Sequence, residues 1–229
     1  MGADNPNPAD AEQTAQAAQA TLARVAAETR ACTRCDLHIG AKHSAPGAGA
    51  APAEMMLIGE APSAYDDRSG RPFSGPSGVF LDELLAAAGL SRAQVYLTNV
   101  VKHHPQESRE LRPDEVTACS GYLAREIAAV NPLVLVTLGR AALGWFLPTG
   151  RISSLHGQAR QHHGRILVAM YNPAAGLHRE ELHDVIVADF ARALPAAIAE
   201  ARRLVAEGKL TSRGEPRDDG PGPQQMSLF

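Results

Sequence analysis

Apolar and polar positions divide the 229-residue chain into short hydrophobic runs and longer amphipathic stretches. Four runs, residues 55–59, 95–101, 132–138 and 166–170, have the length and β-branched content of strands. Residues 11–29 are dense in Ala, Gln and Glu with Leu22 and Val25 as apolar anchors, which predicts a helix. Helical periodicity returns at 79–89, where Gly89 ends it, and at 113–130, with Pro113 in its first turn. It is seen again at 141–147 and at 180–207, where Pro195 predicts a possible break. After residue 55 strands alternate with helices, the pattern of a parallel sheet covered on both faces. Ligands in such sheets bind at the carboxyl ends of the strands.

Residues 1–10 are polar and Pro-rich and are expected to be disordered. Residues 44–54 read as a flexible connection inside a single domain spanning 11–207, and 208–229 as a flexible tail. With 45% hydrophobic and 21% charged residues, the chain is not disordered as a whole. The net charge is −3, from 22 basic and 25 acidic residues, so a nucleic-acid site has to be a local patch. No apolar run is long enough to span a bilayer, and the first ten residues lack the marks of a signal peptide. A cytoplasmic, nucleoid-associated monomer with no membrane partner is expected.

Three cysteines do not make a disulfide framework, and a C-x-x-C in an intracellular protein points to metal or redox chemistry. Cys32 and Cys35 form that turn. Together with Cys119 and His103 they would complete a four-donor set suited to zinc or to an iron–sulfur cluster. The competing reading makes Cys119 a small core residue and His103 a surface one.

The remaining candidates lie in loops that follow strands. The segment 69–78 brings Gly75, Ser77 and Gly78 to the start of a helix, where backbone N–H groups can meet a phosphate; it is not a Walker loop. Phe73, between Pro72 and Ser74, suits a stacking platform for a flat ring, or else a loop anchor. Asn99 ends the second strand, where its amide can read a base edge or simply form a turn. Leu177, in the loop after the fourth strand, reads as a wedge for a base stack or as a core leucine.

In order, Gly59-Glu60-Ala61-Pro62-Ser63 with the aspartates after it, Gly70-Arg71-Pro72-Phe73-Ser74-Gly75-Pro76-Ser77-Gly78, Thr98-Asn99 and Asn172-Pro173-Ala174-Ala175 resemble the motifs of the family 4 uracil-DNA glycosylases. The likeness runs from about residue 32 to about 194. It implies an α/β protein, a three-layer α/β/α sandwich around a four-stranded, mainly parallel sheet, holding a 4Fe–4S cluster. It implies excision of uracil flipped out of DNA, leaving an abasic site that starts base excision repair. On this likeness Glu60 and Asp66 take the acidic positions, where either would be catalytic by positioning water and favouring the cationic sugar, and the backbone at Ala61 lies under the base. Phe73 stacks on the uracil, Asn99 binds its Watson–Crick edge, and Tyr65 stands near C5 to reject thymine. The family motif that usually opens with His-Pro reads Asn172-Pro173 here, so Asn172 would donate to uracil O2. Leu177 would fill the gap in the stack, while Arg179, Gly75, Ser77 and Gly78 hold phosphates.

The likeness also implies the cluster ligands Cys32, Cys35 and Cys119, with His103 where the family usually has a third thiolate. A related branch that binds uracil-DNA very tightly shares this His. Residues 104–112 lack that branch's basic insert, so covalent trapping is not expected. Lys102, Arg109, Arg112, Arg151, Arg160 and Arg165 are expected along the DNA path. The terminal Gln225-Met226-Ser227-Leu228-Phe229 resembles the peptide that binds the bacterial sliding clamp. Two alternatives stand beside the glycosylase: a slow or non-catalytic lesion-binding module tethered to the clamp, and a zinc-stabilised domain of unrelated function.

Overall fold

The computed structural model describes residues 8–211. The clamp-like peptide at 225–229 and residues 1–7 lie outside this range. Six strands form one sheet: β1 (Ala48–Gly49), β2 (Met55–Gly59), β3 (Val95–Asn99), β4 (Val134–Leu138), β5 (Gln158–His162) and β6 (Arg165–Met170). Their spatial order is β1-β3-β2-β4-β6-β5, with β3, β2, β4 and β6 parallel and the two edge strands antiparallel. The expected four strands are thus the parallel centre of a six-stranded mixed sheet. β5 escaped the hydrophobic pattern because it is polar and largely exposed. It pairs with β6 through a two-residue turn in which His163 and Gly164 both have positive φ, the twist a tight hairpin needs. β1 is too short to carry a pattern.

Among the described residues eight α-helices surround the sheet: α1 (Pro8–Arg30), α2 (Ala64–Ser69), α3 (Pro76–Ala87), α4 (Pro113–Val130), α5 (Arg140–Phe146), α6 (Ile152–Leu155), α7 (Pro173–His178) and α8 (Glu180–Ala206). α1 starts at Pro8, inside the stretch expected to be disordered. α8 runs unbroken through Pro195 because that residue faces outward, where the carbonyl it leaves unbonded meets water.

Strand residues alternate cleanly between two cores. Met55, Leu57, Val95, Leu97, Val134 and Val136 face the layer holding α3 and α8. Met56, Ile58, Tyr96 and Leu135 face α1, α4 and α5. The central strand β2 is followed in sequence by β3 on one side and then β4 on the other. This reversal opens a crevice at the carboxyl end of β2, where such sheets hold ligands. None of the described helices is long and apolar enough to cross a membrane.

Candidate active site

Gly59 closes β2 directly opposite Asn99, the last residue of β3. By the strand alternation both face the α3–α8 layer. A Cβ on Gly59 would stand 2.3 Å from Asn99 Oδ1 and 2.7 Å from Phe73 Cζ. Amide and ring therefore converge where the glycine has no side chain. Asn99 is 2% exposed, and its Nδ2 is buried with no hydrogen-bond partner. Leaving such a donor unsatisfied costs about 1–3 kcal/mol, and an orphan of this kind points to an acceptor on a ligand.

Phe73 reaches this position through a left-handed backbone, φ 54°, which is unfavourable for a bulky residue. Its surroundings impose it. Arg92 donates to the carbonyls of Phe73 (3.0 Å) and Gly78 (3.1 Å) while paired with Asp82. Asp66 Oδ1 accepts from the Ser74 N–H (2.7 Å) and hydroxyl (2.8 Å), and Oδ2 accepts from the Ser63 N–H (2.9 Å), closing a capping box at α2. Asp66 Oδ1 thus holds the Phe73 loop while Oδ2 closes the α2 cap, so both carboxylate oxygens are engaged in structure. Gly78 must lack a side chain because the Phe73 carbonyl lies 1.8 Å from where its Cβ would be, and Gly75 because the Tyr65 ring lies 2.7 Å from its own. The two glycines are required by packing. On the first turn of α3 the N–H groups of Gly78 and Val79 already bond to the Gly75 carbonyl.

Glu60 follows β2 at the crevice. Burial, more than any other influence, pushes its carboxyl above the ordinary value; Arg140 opposes the shift and Glu110 adds to it. Arg140 and Glu110 are themselves ion-paired. Across the crevice, Asn172 caps α7, its Oδ1 accepting from the Ala174 N–H at 3.0 Å. The amide Nδ2 lies over Gly139, 3.8 Å from the position of a Cβ there, and its N–H groups remain available as donors. Ala61 is half-buried on the loop between, and the buried His104 donates its Nδ1–H to the Pro62 carbonyl (2.8 Å), pinning that loop.

Behind Asn99 lies a buried network absent from the sequence reading. Lys102, 1% exposed, donates to Thr98 Oγ1, the Asn99 carbonyl and Glu126 Oε2, each at 2.7 Å. Glu126 also accepts from Thr98 and from the Gly47 N–H. This corrects the expectation that Lys102 belongs to a DNA-facing patch. Arg165 is likewise buried against Pro132 and Asn131. Arg109 and Arg112 are tied to Glu115, and Arg112 also to Asp36. Arg151, Arg160 and Arg179 are exposed.

Tyr65, half exposed, lies under the Arg68 guanidinium (4.5 Å to the ring centroid) in a groove that also holds Leu177. Leu177, 45% exposed, is not a core residue. The structure sets Tyr65 in this groove, against Gly75.

Cys32, Cys35 and Cys119 border one apolar cluster, near enough that each of the other two thiols raises the pKa of Cys119. Burial is the main cause that pushes Cys119 up to about 11. Burial would raise Cys32 as well, but hydrogen bonding with Tyr122 and Arg34 outweighs it. His103 is buried, with His38 and Asp67 as its charged neighbours. Among the described residues no three His, Cys, Asp or Glu side chains stand in a metal-holding arrangement, so the expected four donors are not drawn together. The donor chemistry nevertheless fits a thiolate-held group: three soft sulfurs, two on one turn and one on α4, sit in an apolar shell.

The Uracil DNA glycosylase superfamily profile matches residues 46–194, which contain the crevice and every residue that converges on it. A type-4 uracil-DNA glycosylase of Archaeoglobus fulgidus is 36% identical over 74% of this chain and 90% of its own length. That of Sulfurisphaera tokodaii is 35% identical over 81% and 89%. That of Saccharolobus solfataricus is 36% identical over 72% and 82%. With the sheet, the crevice and these likenesses in agreement, the chain belongs to the uracil DNA glycosylase superfamily.

Proposed function

We propose that this uracil-DNA glycosylase takes a deoxyuridine flipped out of DNA into the space bounded by Gly59, Phe73 and Asn99. There it hydrolyses the N-glycosidic bond, leaving the abasic site from which base excision repair proceeds. The observation that carries the reading is the orphaned, buried Nδ2 of Asn99, on an amide whose Oδ1 converges with the Phe73 ring on Gly59. Uracil offers O4 as acceptor and N3–H as donor, which match the Nδ2 and Oδ1 of one amide. Cytosine offers the reverse pattern at both atoms and leaves two buried polar groups unpaired.

In the reaction the C1′–N1 bond breaks, the electron pair leaves with uracil as an anion, water adds its hydroxide to the cationic sugar carbon, and the proton left over neutralises the uracil anion by way of solvent. Asn172 donates from Nδ2 to uracil O2, where charge builds, while its Oδ1 stays fixed in the cap. Glu60, ionised, favours the positive sugar and orients the water. Asp66 is a positioning residue that keeps the Phe73 loop in its strained form. Tyr65 acts at the mouth of the site, Leu177 enters the stack left by the flipped base, and Arg179 with the Gly75–Ser77–Gly78 turn meets phosphates.

Cys32, Cys35 and Cys119, with the imidazole of His103 as fourth donor, are the residues that would hold a 4Fe–4S cluster. When bound, it supplies metal–ligand cross-links between the turn after α1, the turn after β3 and α4. The tail peptide Gln225 to Phe229 is proposed to dock on the sliding clamp.

The test is an oligonucleotide carrying one deoxyuridine, treated with alkali after incubation. Strand cleavage with the native chain and none with Asn99→Ala is expected. A native chain that binds this oligonucleotide and yields no alkali-labile site would leave only the lesion-binding alternative. Removal of residues 226–229 is expected to abolish clamp binding and leave excision from short oligonucleotides intact.

A further inference from the structure

Beside the uracil space lies a second concavity of about 520 Å³. Its walls include Tyr65, Gly75, Pro76, Val79, Glu83 and Leu177. Tyr65 (50%), Val79 (61%) and Leu177 (45%) are three of the four large hydrophobic residues left exposed among the described residues. Such residues scattered singly mean little, but three around one groove, of a volume usual for ligand sites, mark a surface meant to be covered. Resting on the glycosylase reading, we propose that this groove binds the base next to the flipped uracil in the same strand, and favours a base bearing an exocyclic amino group.

Three observations identify the occupant. First, Ser74 and Gly75, which line this groove, directly follow Phe73 in the chain, so a strand with one base against the Phe73 ring passes along this groove. Second, the walls include the Tyr65 ring, the stacked rings of Phe80 and His183, a proline and two aliphatic side chains around a glycine held bare by the Tyr65 ring; this suits a flat, apolar-faced group. Third, the one carboxylate in the wall is the exposed Glu83. It can accept from an amino group such as N4 of cytosine, and thymine has no donor of that kind.

The test is single-turnover excision from single-stranded oligonucleotides in which the nucleotide on each side of deoxyuridine is, in turn, cytosine, thymine or an abasic spacer. On one side, cytosine is expected to exceed the spacer in kcat/KM by roughly five- to hundredfold, the range of one base–aromatic stack, with thymine between them. In Val79→Asp, at an exposed position that tolerates a charge, the cytosine-to-spacer ratio is expected to fall to about one. In Glu83→Gln the cytosine-to-thymine ratio is expected to fall while the thymine-to-spacer ratio is retained. Equal rates for cytosine and spacer on both sides, or a ratio unchanged by Val79→Asp, would overturn the inference and leave the glycosylase reading intact. No excision from any strand would overturn that reading and the inference with it.

Discussion

Asn99 Oδ1 lies 2.3 Å from the point a β-carbon on Gly59 would occupy, and the Phe73 ring crowds the same point at 2.7 Å. No real Cβ sits so close to either group. Gly59→Ala must therefore displace the amide or the ring, both of them side chains, and the sheet can persist. The expected result is a loss of excision of about a hundredfold, the effect of an ångström-scale misplacement, with about 1–3 kcal/mol of overpacking cost. Single-turnover rates beside thermal melting separate the two effects.

The hydrogen-bond pattern of Asn99 gives a second prediction. Asn99→Asp removes the donor to O4 and leaves acceptors facing the base edge. Uracil excision is expected to fall by at least tenfold, and cytosine excision, which the native amide pattern disfavours, to become measurable. Oligonucleotides with a single cytosine target, opened by alkali, read this directly.

The cap that Asn172 makes and the donation to uracil O2 proposed for it can be separated by substitution. Its Oδ1 caps α7 and its Nδ2 is left as the donor. Asn172→Asp keeps the cap and removes the donor, so excision is expected to fall roughly 10²–10³-fold with an unchanged melting temperature. Asn172→His restores the residue usual in the resembling family and supplies a donor that can carry charge. Faster excision, with about 1 kcal/mol lost through the poorer cap, is the expected outcome.

The parallel strands and the residues of the crevice were legible in the sequence because each carries a local signal. Strands buried on both faces read as continuous apolar runs, and Gly59, Phe73 and Asn99 are unusual residues for loops and strand ends. The charges were not legible. Lys102 lies in a segment, Val101-Lys102-His103, that gives no sign of burial, and its partner Glu126 is 24 residues away on α4. Only the packing of α4 over β3 brings the two together. The positive φ of Phe73 was hidden for the same reason: it is imposed by Arg92 and Asp66, which lie 19 and 7 residues distant. The capping box from Ser63 to Asp66 was legible as a short motif and would have placed α2 where the sequence reading saw only loop.

The buried Lys102–Glu126 pair should therefore behave as a support for Asn99. Lys102→Met leaves Glu126 as an uncompensated buried charge and is expected to cost about 3–5 kcal/mol, read from denaturant midpoints. Replacing both partners, Lys102→Met with Glu126→Leu, is expected to recover most of that stability. Excision is not expected to recover with it, because the Asn99 carbonyl has lost its ammonium donor.

Glu60 supplies a prediction with a definite sign. Its pKa is raised above the ordinary 4.5 chiefly by burial, so the folded state favours the protonated acid. The stability this acid contributes is present below its unfolded pKa and is lost as pH rises through the higher folded value; Glu60→Gln should therefore melt at a higher temperature at neutral pH. In its proposed role Glu60 acts as the ionised form, so the acid limb of the single-turnover rate is expected above pH 4.5 and to vanish in Glu60→Gln, together with most of the rate. Two neighbours move that limb in opposite directions. Arg140→Ala removes the cation that lowers the pKa and is expected to shift the limb to higher pH. Glu110→Ala removes an anion that raises it and is expected to shift the limb down. A limb that stayed in place in both variants would assign the titration to a different group.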